Sequence, residues 1–291
     1  MKKDLRQKQL IPFLMAGDPN METTEYIANE MIAEGVCTLE LGLAFSDPMA
    51  DGLTIQKAST RALAAGTNLV EVLKLTERLK RKHPHVRIVL FSYLNPLLRF
   101  GLENYVVRAL EAGVNATLVV DLPVEESAEF LALHRRLGLG TVFLVSPTTT
   151  QARLLKIAQA SSEFIYYVSR LGVTGEQSSI SPTLATEIAA LKQHVSLPMA
   201  VGFGISTAHQ AGMISSYADF VVIGSRFCHL IEQSLIVNHH SLAATGVLVR
   251  SFVQDCHEQI RAQNCEHISR GASKGEILKK GEADGKGGGH K

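Results

Sequence analysis

The sequence predicts an α/β chain closed into a (β/α)8 TIM barrel. Three observations carry this: eight short apolar runs, helical segments between them, and a spacing that fits one βα unit at a time. The runs begin near Ile11, Cys37, Arg87, Ala116, Thr141, Phe164, Pro198 and Phe220, and read IPFLMAG, CTLELG, RIVLFS, ATLVVD, TVFLVS, FIYYVS, PMAVGFG and FVVIGS. They are rich in residues that favour strands and end on Gly, Ser or Asp, the usual boundary of a strand. Successive starts lie 22 to 34 residues apart, enough for a strand, a helix and two short loops, except that the second interval takes 50. The second unit must therefore carry an extra loop, and long loops in compact domains tend to be functional.

Between the runs, Val72, Leu75 and Leu79 recur at i, i+3 and i+7, and Leu184, Ile188, Leu191 and Val195 share another stripe. Gly35 and Gly113 stand where a left-handed cap would close the preceding helix. Nearly continuous apolar strands belong to parallel sheets covered on both faces, and eight is the number of units that closes. An open doubly wound sheet would call for a GxGxxG loop after the first strand, where this chain reads MAGDPN. Beyond the eighth unit, Val249, Val253, Cys256 and Ile260 mark a last helix covering the barrel, which completes one domain over residues 1–262. Residues 263–291 hold seven glycines and few large apolar side chains, and a disordered tail is expected there.

With 46% apolar and 20% charged residues, the 291-residue chain has ample material for a core. Its net charge of +1 provides no field to gather nucleic acid or an anionic membrane, so neither is expected as a partner. No apolar run approaches the ~18 residues of a membrane span. The start, MKKDLRQKQLIPFL, lacks the long apolar stretch of a signal peptide, so the expected location is cytoplasmic. Cys37, Cys228, Cys256 and Cys265 show no CxxC spacing, which fits reduced thiols. The scattered histidines suggest no metal site, and there is no GxSxG nucleophile turn.

In this fold the chemistry sits at the carboxyl ends of the strands. Glu40 lies within an apolar strand, and alternation sets it on the face opposite Leu39 and Leu41. Desolvation there raises a carboxyl pKa toward the range useful for acid–base work, the alternative being a structural ion pair with Lys or Arg. Asp51 follows in the long loop SDPMADG, where Pro48 and Gly52 punctuate the turn; a turn role is its alternative. Gly175, Gly204 and the pair Gly224–Ser225 follow strands six, seven and eight, where barrels commonly bind phosphate with loop amides and a helix N-terminus. Any one of these glycines would pass for an ordinary turn, but together they favour the phosphate reading.

The segment LELGLAFSDPMADG, Leu39 to Gly52, resembles the signature of the tryptophan synthase α subunit. In the same order follow PFLMAGDP, YLNP at Tyr93–Pro96, DLPVEES at Asp121–Ser127, SRLGVTG at Ser169–Gly175, GFGIS at Gly202–Ser206 and IGS at Ile223–Ser225. The likeness covers roughly residues 9 to 235. It implies cleavage of indole-3-glycerol phosphate into indole and glyceraldehyde 3-phosphate by a barrel that works with a β subunit in an α2β2 heterotetramer. Pyridoxal phosphate is expected on that partner and no cofactor on this chain.

By position, the resemblance makes Glu40 the general acid/base and Asp51 the carboxylate facing the indole N–H. It places Phe13, Tyr93, Leu118, Tyr166 and Phe203 around the indole, and Thr174 in the lid after strand six. Gly175, Gly204, Gly224 and Ser225 correspond to the phosphate site. Departures fall close by. Ala44 and Leu53 replace prolines of the catalytic loop, removing two fixed φ angles. Phe91 and Val120 replace smaller residues and are expected to narrow the pocket, and Met15 stands where Thr often precedes the Ala-Gly-Asp-Pro turn. The altered loop motivates an alternative: a weak or silent lyase acting mainly as an allosteric activator of the β subunit. A Schiff-base aldolase would need a strand-end Lys, which none of the eight runs carries.

Overall fold

A computed structural model describes residues 8–168, 183–202, 204–237 and 241–283, with residues 264–283 as backbone only. Eight parallel strands close in sequence order, β1 (Gln9–Met15), β2 (Thr38–Gly42), β3 (Arg87–Ser92), β4 (Ala116–Val119), β5 (Gly140–Val145), β6 (Ile165–Val168), β7 (Met199–Gly202) and β8 (Phe220–Ile223), and β8 returns to pair with β1. All eight expected strands are present within one or two residues of where the apolar runs begin.

Strand alternation divides the core in two. Leu39 and Leu41 of β2 point outward and join Leu10, Leu14, Ile88 and Leu90 in the layer between barrel and helices. Phe13, Val89, Phe91, Leu118, Val142, Tyr166, Ala200 and Val222 fill the barrel itself. Glu40 shares this inner face: its strand neighbours are Phe13 on β1 and Val89 on β3. The carboxylate is thus set among hydrocarbon by the same pleat that buries its two leucine neighbours.

The outer ring consists of α1 (Met21–Ala33), α2 (Leu53–Ala64), α3 (Leu69–Lys82), α4 (Leu94–Phe100), α5 (Leu102–Ala112), α6 (Ala128–Leu137), α7 (Gln151–Ala160), α8 (Leu184–Lys192), α9 (Ala208–Ser215), α10 (Ser225–Val237) and α11 (Leu242–Ala283). Local chemistry explains several ends. Asn20 and Asn68 accept from Thr23 N and Glu71 N at 2.9 and 3.2 Å, while Thr207 and Gln210 form a reciprocal capping box on α9. Gly113 ends α5 at φ +85°, a conformation costly for a residue with a Cβ. Gly35 follows α1 at φ +94°.

Three details differ from the sequence expectation. The long second unit contains a full extra helix, α2, as well as its loop. The unit after β3 is likewise split into α4 and α5. Val195 lies beyond the end of α8 at Lys192, although it still packs against the core. Helix α11 buries Val249, Val253, Cys256 and Ile260 as expected, and its backbone runs on to Ala283. Glu, Lys, Ile and Leu in that stretch are good or tolerable helix formers, and intrahelical hydrogen bonds do not require an apolar face. Among the described residues no helix is long and apolar enough to cross a membrane.

Candidate active site

At the carboxyl mouth of the barrel, Phe13, Glu40, Asp51, Ile55, Phe91, Tyr166, Gly204, Ile205, Val222, Gly224 and Ser225 line a cavity that opens to solvent. The lining is mainly apolar with a few polar groups, the usual character of a small-molecule site. Glu40 comes from β2 and is 2% exposed; no ion pair with Lys or Arg is seen among the described residues. Burial, reinforced by the negative charge of Asp51, raises its pKa from 4.5 to about 8.

Asp51 lies on the loop between β2 and α2 and is also 2% exposed. Its backbone closes a tight turn, with Asp51 N donating to Pro48 O at 3.0 Å. The Tyr93 hydroxyl donates to Asp51 Oδ2 at 3.1 Å and accepts from Ala50 N at 3.0 Å. Burial pushes the Asp51 pKa up to about 6, and the bond from Tyr93 partly offsets this. Asp51 Oδ1 is buried without a hydrogen-bond partner among the described residues, so a donor-bearing ligand would meet an acceptor already stripped of water.

Burial thus raises both carboxyl groups, Glu40 further than Asp51, which makes Glu40 the proton holder of the pair. At the same mouth, at the end of β8, Ser225 is the first residue of α10, and Gly224 precedes it. The exposed amides of a helix start and its dipole favour an anion there. Gly204, at φ +84°, brings a further backbone turn to the same wall. The lining presents aromatic surface from Phe13, Phe91 and Tyr166, a helix start at α10 that favours an anion, and two buried carboxyl groups.

Seven of the residues singled out from sequence meet here: Phe13, Glu40, Asp51, Tyr166, Gly204, Gly224 and Ser225. Two take other places. Tyr93 is buried behind Asp51 and reaches it through its hydroxyl rather than as a wall of the cavity. Leu118 belongs to the inner barrel core and is not among the cavity-lining residues. Thr174, Gly175 and Phe203 lie outside the described residues. Phe91 does reach the cavity and meets Phe13 edge-on at 5.4 Å, whereas Val120 lines a neighbouring hollow between the ends of β4 and β5. Ile55, Ile205 and Val222 complete the wall without having been singled out. Val222 and Ile205 are legible in the sequence as inward or strand-end residues; Ile55 is not, because the sequence shows only a long loop where α2 stands.

A closed parallel barrel with two buried carboxyl groups and a helix start at its carboxyl mouth has the architecture of a (β/α)8 enzyme. The family model described as tryptophan synthase alpha chain matches residues 1–257, and the chain belongs to that family. Tryptophan synthase alpha chains from Geotalea uraniireducens and Geobacter sulfurreducens are similar to it. The first is 46% identical over 227 residues, covering 78% of this chain and 85% of the relative. The second is 43% identical over 254 residues, covering 87% and 94%. Among solved structures, tryptophan synthase subunit alpha from Legionella pneumophila superposes with a TM-score of 0.80 at 32% identity, over 88% of this chain and 94% of that one. A chain of the tryptophan synthase complex from Pyrococcus furiosus gives 0.77 at 33% identity, over 87% and 99%.

Proposed function

We propose that this chain cleaves indole-3-glycerol phosphate into indole and glyceraldehyde 3-phosphate, with Glu40 as the proton carrier and Asp51 as the acceptor for the indole N–H. The observation that carries this reading is the pair of buried carboxyls with unequal pKa values on one cavity. Glu40 gives its proton to the ring carbon that bears the glycerol chain. Ionised Asp51 stabilises the positive charge that then develops at the ring nitrogen. The carbon–carbon bond breaks as the adjacent hydroxyl returns a proton to Glu40 and becomes the aldehyde. No further reactant is consumed, and Glu40 ends as it began.

Phe13, Phe91 and Tyr166 offer the walls for the indole, and Gly204, Gly224 and Ser225 the amides for the phosphate, with Gly175 as a further candidate. Phe203 and Thr174 are proposed for the ring wall and the lid. Indole passes to a β subunit in a complex of α2β2 form, where pyridoxal phosphate belongs to the partner. Exposed Met49 and Leu53, on either side of Asp51, suit the docking of that subunit at the barrel mouth. Cytoplasmic location follows from the biosynthetic role.

Indole release by the purified chain, alone and with its cognate β subunit, tests the reading. Activity that rises on adding the β subunit is expected. Absence of release in both, with β-subunit turnover of indole still stimulated, would replace it with the activator reading.

The Tyr93–Asp51 bond yields a more specific expectation. Tyr93→Phe removes a donor that favours the ionised Asp51, so the Asp51 pKa rises further. The acidic limb of kcat against pH then moves to higher pH, and kcat at pH 7 falls about tenfold, the effect of losing one hydrogen bond to a charged group. A pH–rate profile superimposable on the parent's would show that Tyr93 only fills space.

A further inference from the structure

Between Phe45 and Asp51 the catalytic loop contains a single proline, Pro48, and its crest is solvent-facing, with Met49 79% exposed. Even so, Asp51 is buried. Two side chains of α2 account for the loop's course. The Ser59 hydroxyl, 1% exposed, accepts from Phe45 N at 3.1 Å and donates to Phe45 O at 3.0 Å. One hydroxyl therefore satisfies both backbone groups of the residue where the loop begins. Gln56 Nε2 donates to Asp51 O at 2.7 Å, where the loop ends.

Helix α2 is itself fixed. Arg61 grips buried Asp18 with two bonds of 2.6 and 2.9 Å and reaches Glu232 of α10 at 3.4 Å. The Phe45 ring lies 5.3 Å from that of Tyr93, so the start of the loop also packs against the residue that bonds Asp51. Ala44 and Leu53 lack the φ restraint that proline would give on either side of this segment.

We infer that Ser59 and Gln56 are positioning residues: as two side-chain clamps on one rigid helix, they hold the Phe45–Asp51 loop over the cavity and set Asp51 against the substrate. This rests on the lyase reading for its kinetic consequence, though not for the geometry. The clamps act at the two backbone ends of the loop, and Tyr93 acts between them on Ala50 and on the carboxylate.

The test uses the full chain with its cognate β subunit and compares Ser59→Ala, Gln56→Leu and Ser59→Thr with the parent in single-turnover indole release. Ser59→Ala and Gln56→Leu are each expected to lower the cleavage rate about tenfold while KM changes less than about twofold. Ser59→Thr, which retains the hydroxyl, restores most of the rate. In an Asp51→Asn background Ser59→Ala should cost less than about twofold, because there is no carboxylate left to position. Equal losses with and without Asp51, or parent rates in both clamp variants, would overturn the inference. Amide hydrogen exchange supplies a reading independent of turnover: at Phe45 and Ala50 it should accelerate at least about tenfold in Ser59→Ala and stay unchanged in α3. If the parent releases no indole, the lyase reading fails and the exchange result alone decides the clamp. Unaltered exchange overturns it.

Discussion

Glu40→Gln is expected to lower indole release by about 10²–10⁴-fold, the usual contribution of a positioned acid–base group, while increasing the stability of the barrel. The two effects have one cause. Burial holds the Glu40 pKa at about 8, against 4.5 for an unburied carboxyl. Between those values the unfolded chain has released a proton that the folded chain still binds, so the parent loses stability as pH rises from 4.5 through about 8. At pH 7 the loss is on the order of 3 kcal/mol by the conversion of 1.36 kcal/mol per unit. Gln does not titrate and escapes it. Chemical denaturation of parent and variant from pH 4 to 9 should give curves that coincide near pH 4, separate as pH rises and run parallel above pH 8. Parallel curves throughout would mean that Glu40 is already ionised in the fold, and the proton-donor role would fall with it.

That one residue illustrates what was legible in the sequence. A carboxylate flanked by leucines in a strand-like run can only alternate away from them, and in a closed barrel that side is the interior. Nothing local, by contrast, marks Asp51 as buried: its partner hydroxyl, on Tyr93, is 42 residues further along the chain. Resemblance, rather than periodicity, is what joins the two carboxyls in the sequence. Helix α2 escaped detection for a physical reason. Apart from Ile55 its inward face is Ala58, Ser59 and Ala62, small or polar residues that make a weak apolar stripe, and its start, Gly52, provides no side-chain cap. The residues that clamp the loop were hidden with it. Tyr93 could be placed near the site from its motif, but whether a tyrosine presents its ring or its hydroxyl is decided by packing between loops. The strands were the easier reading, since burial on both faces leaves little but apolar residues in them.

The indole wall provides the second large effect, at a residue with no side chain. Gly202 ends β7 beside Tyr166, and a Cβ built there would stand 2.1 Å from the tyrosine oxygen and 2.7 Å from Cζ. Contacts below 3.0 Å require something to move, and Tyr166 is buried, with the cavity as the open direction available to it. Gly202→Ala should therefore drive the Tyr166 ring toward the space proposed for indole. Overpacking of a core by one carbon typically costs about 1–3 kcal/mol, and in this position it falls on substrate binding as well as stability. The expected result is a loss of about 10–100-fold in kcat/KM, carried mainly by KM. Tyr166→Phe in the same chain removes the oxygen at 2.1 Å but leaves the ring carbon at 2.7 Å, so it should recover part of the loss and not all of it. Full recovery would identify the hydroxyl as the sole obstacle. No recovery, with KM still raised, would mean that the strand backbone rather than the ring had yielded, and that the indole wall is set by β7 itself.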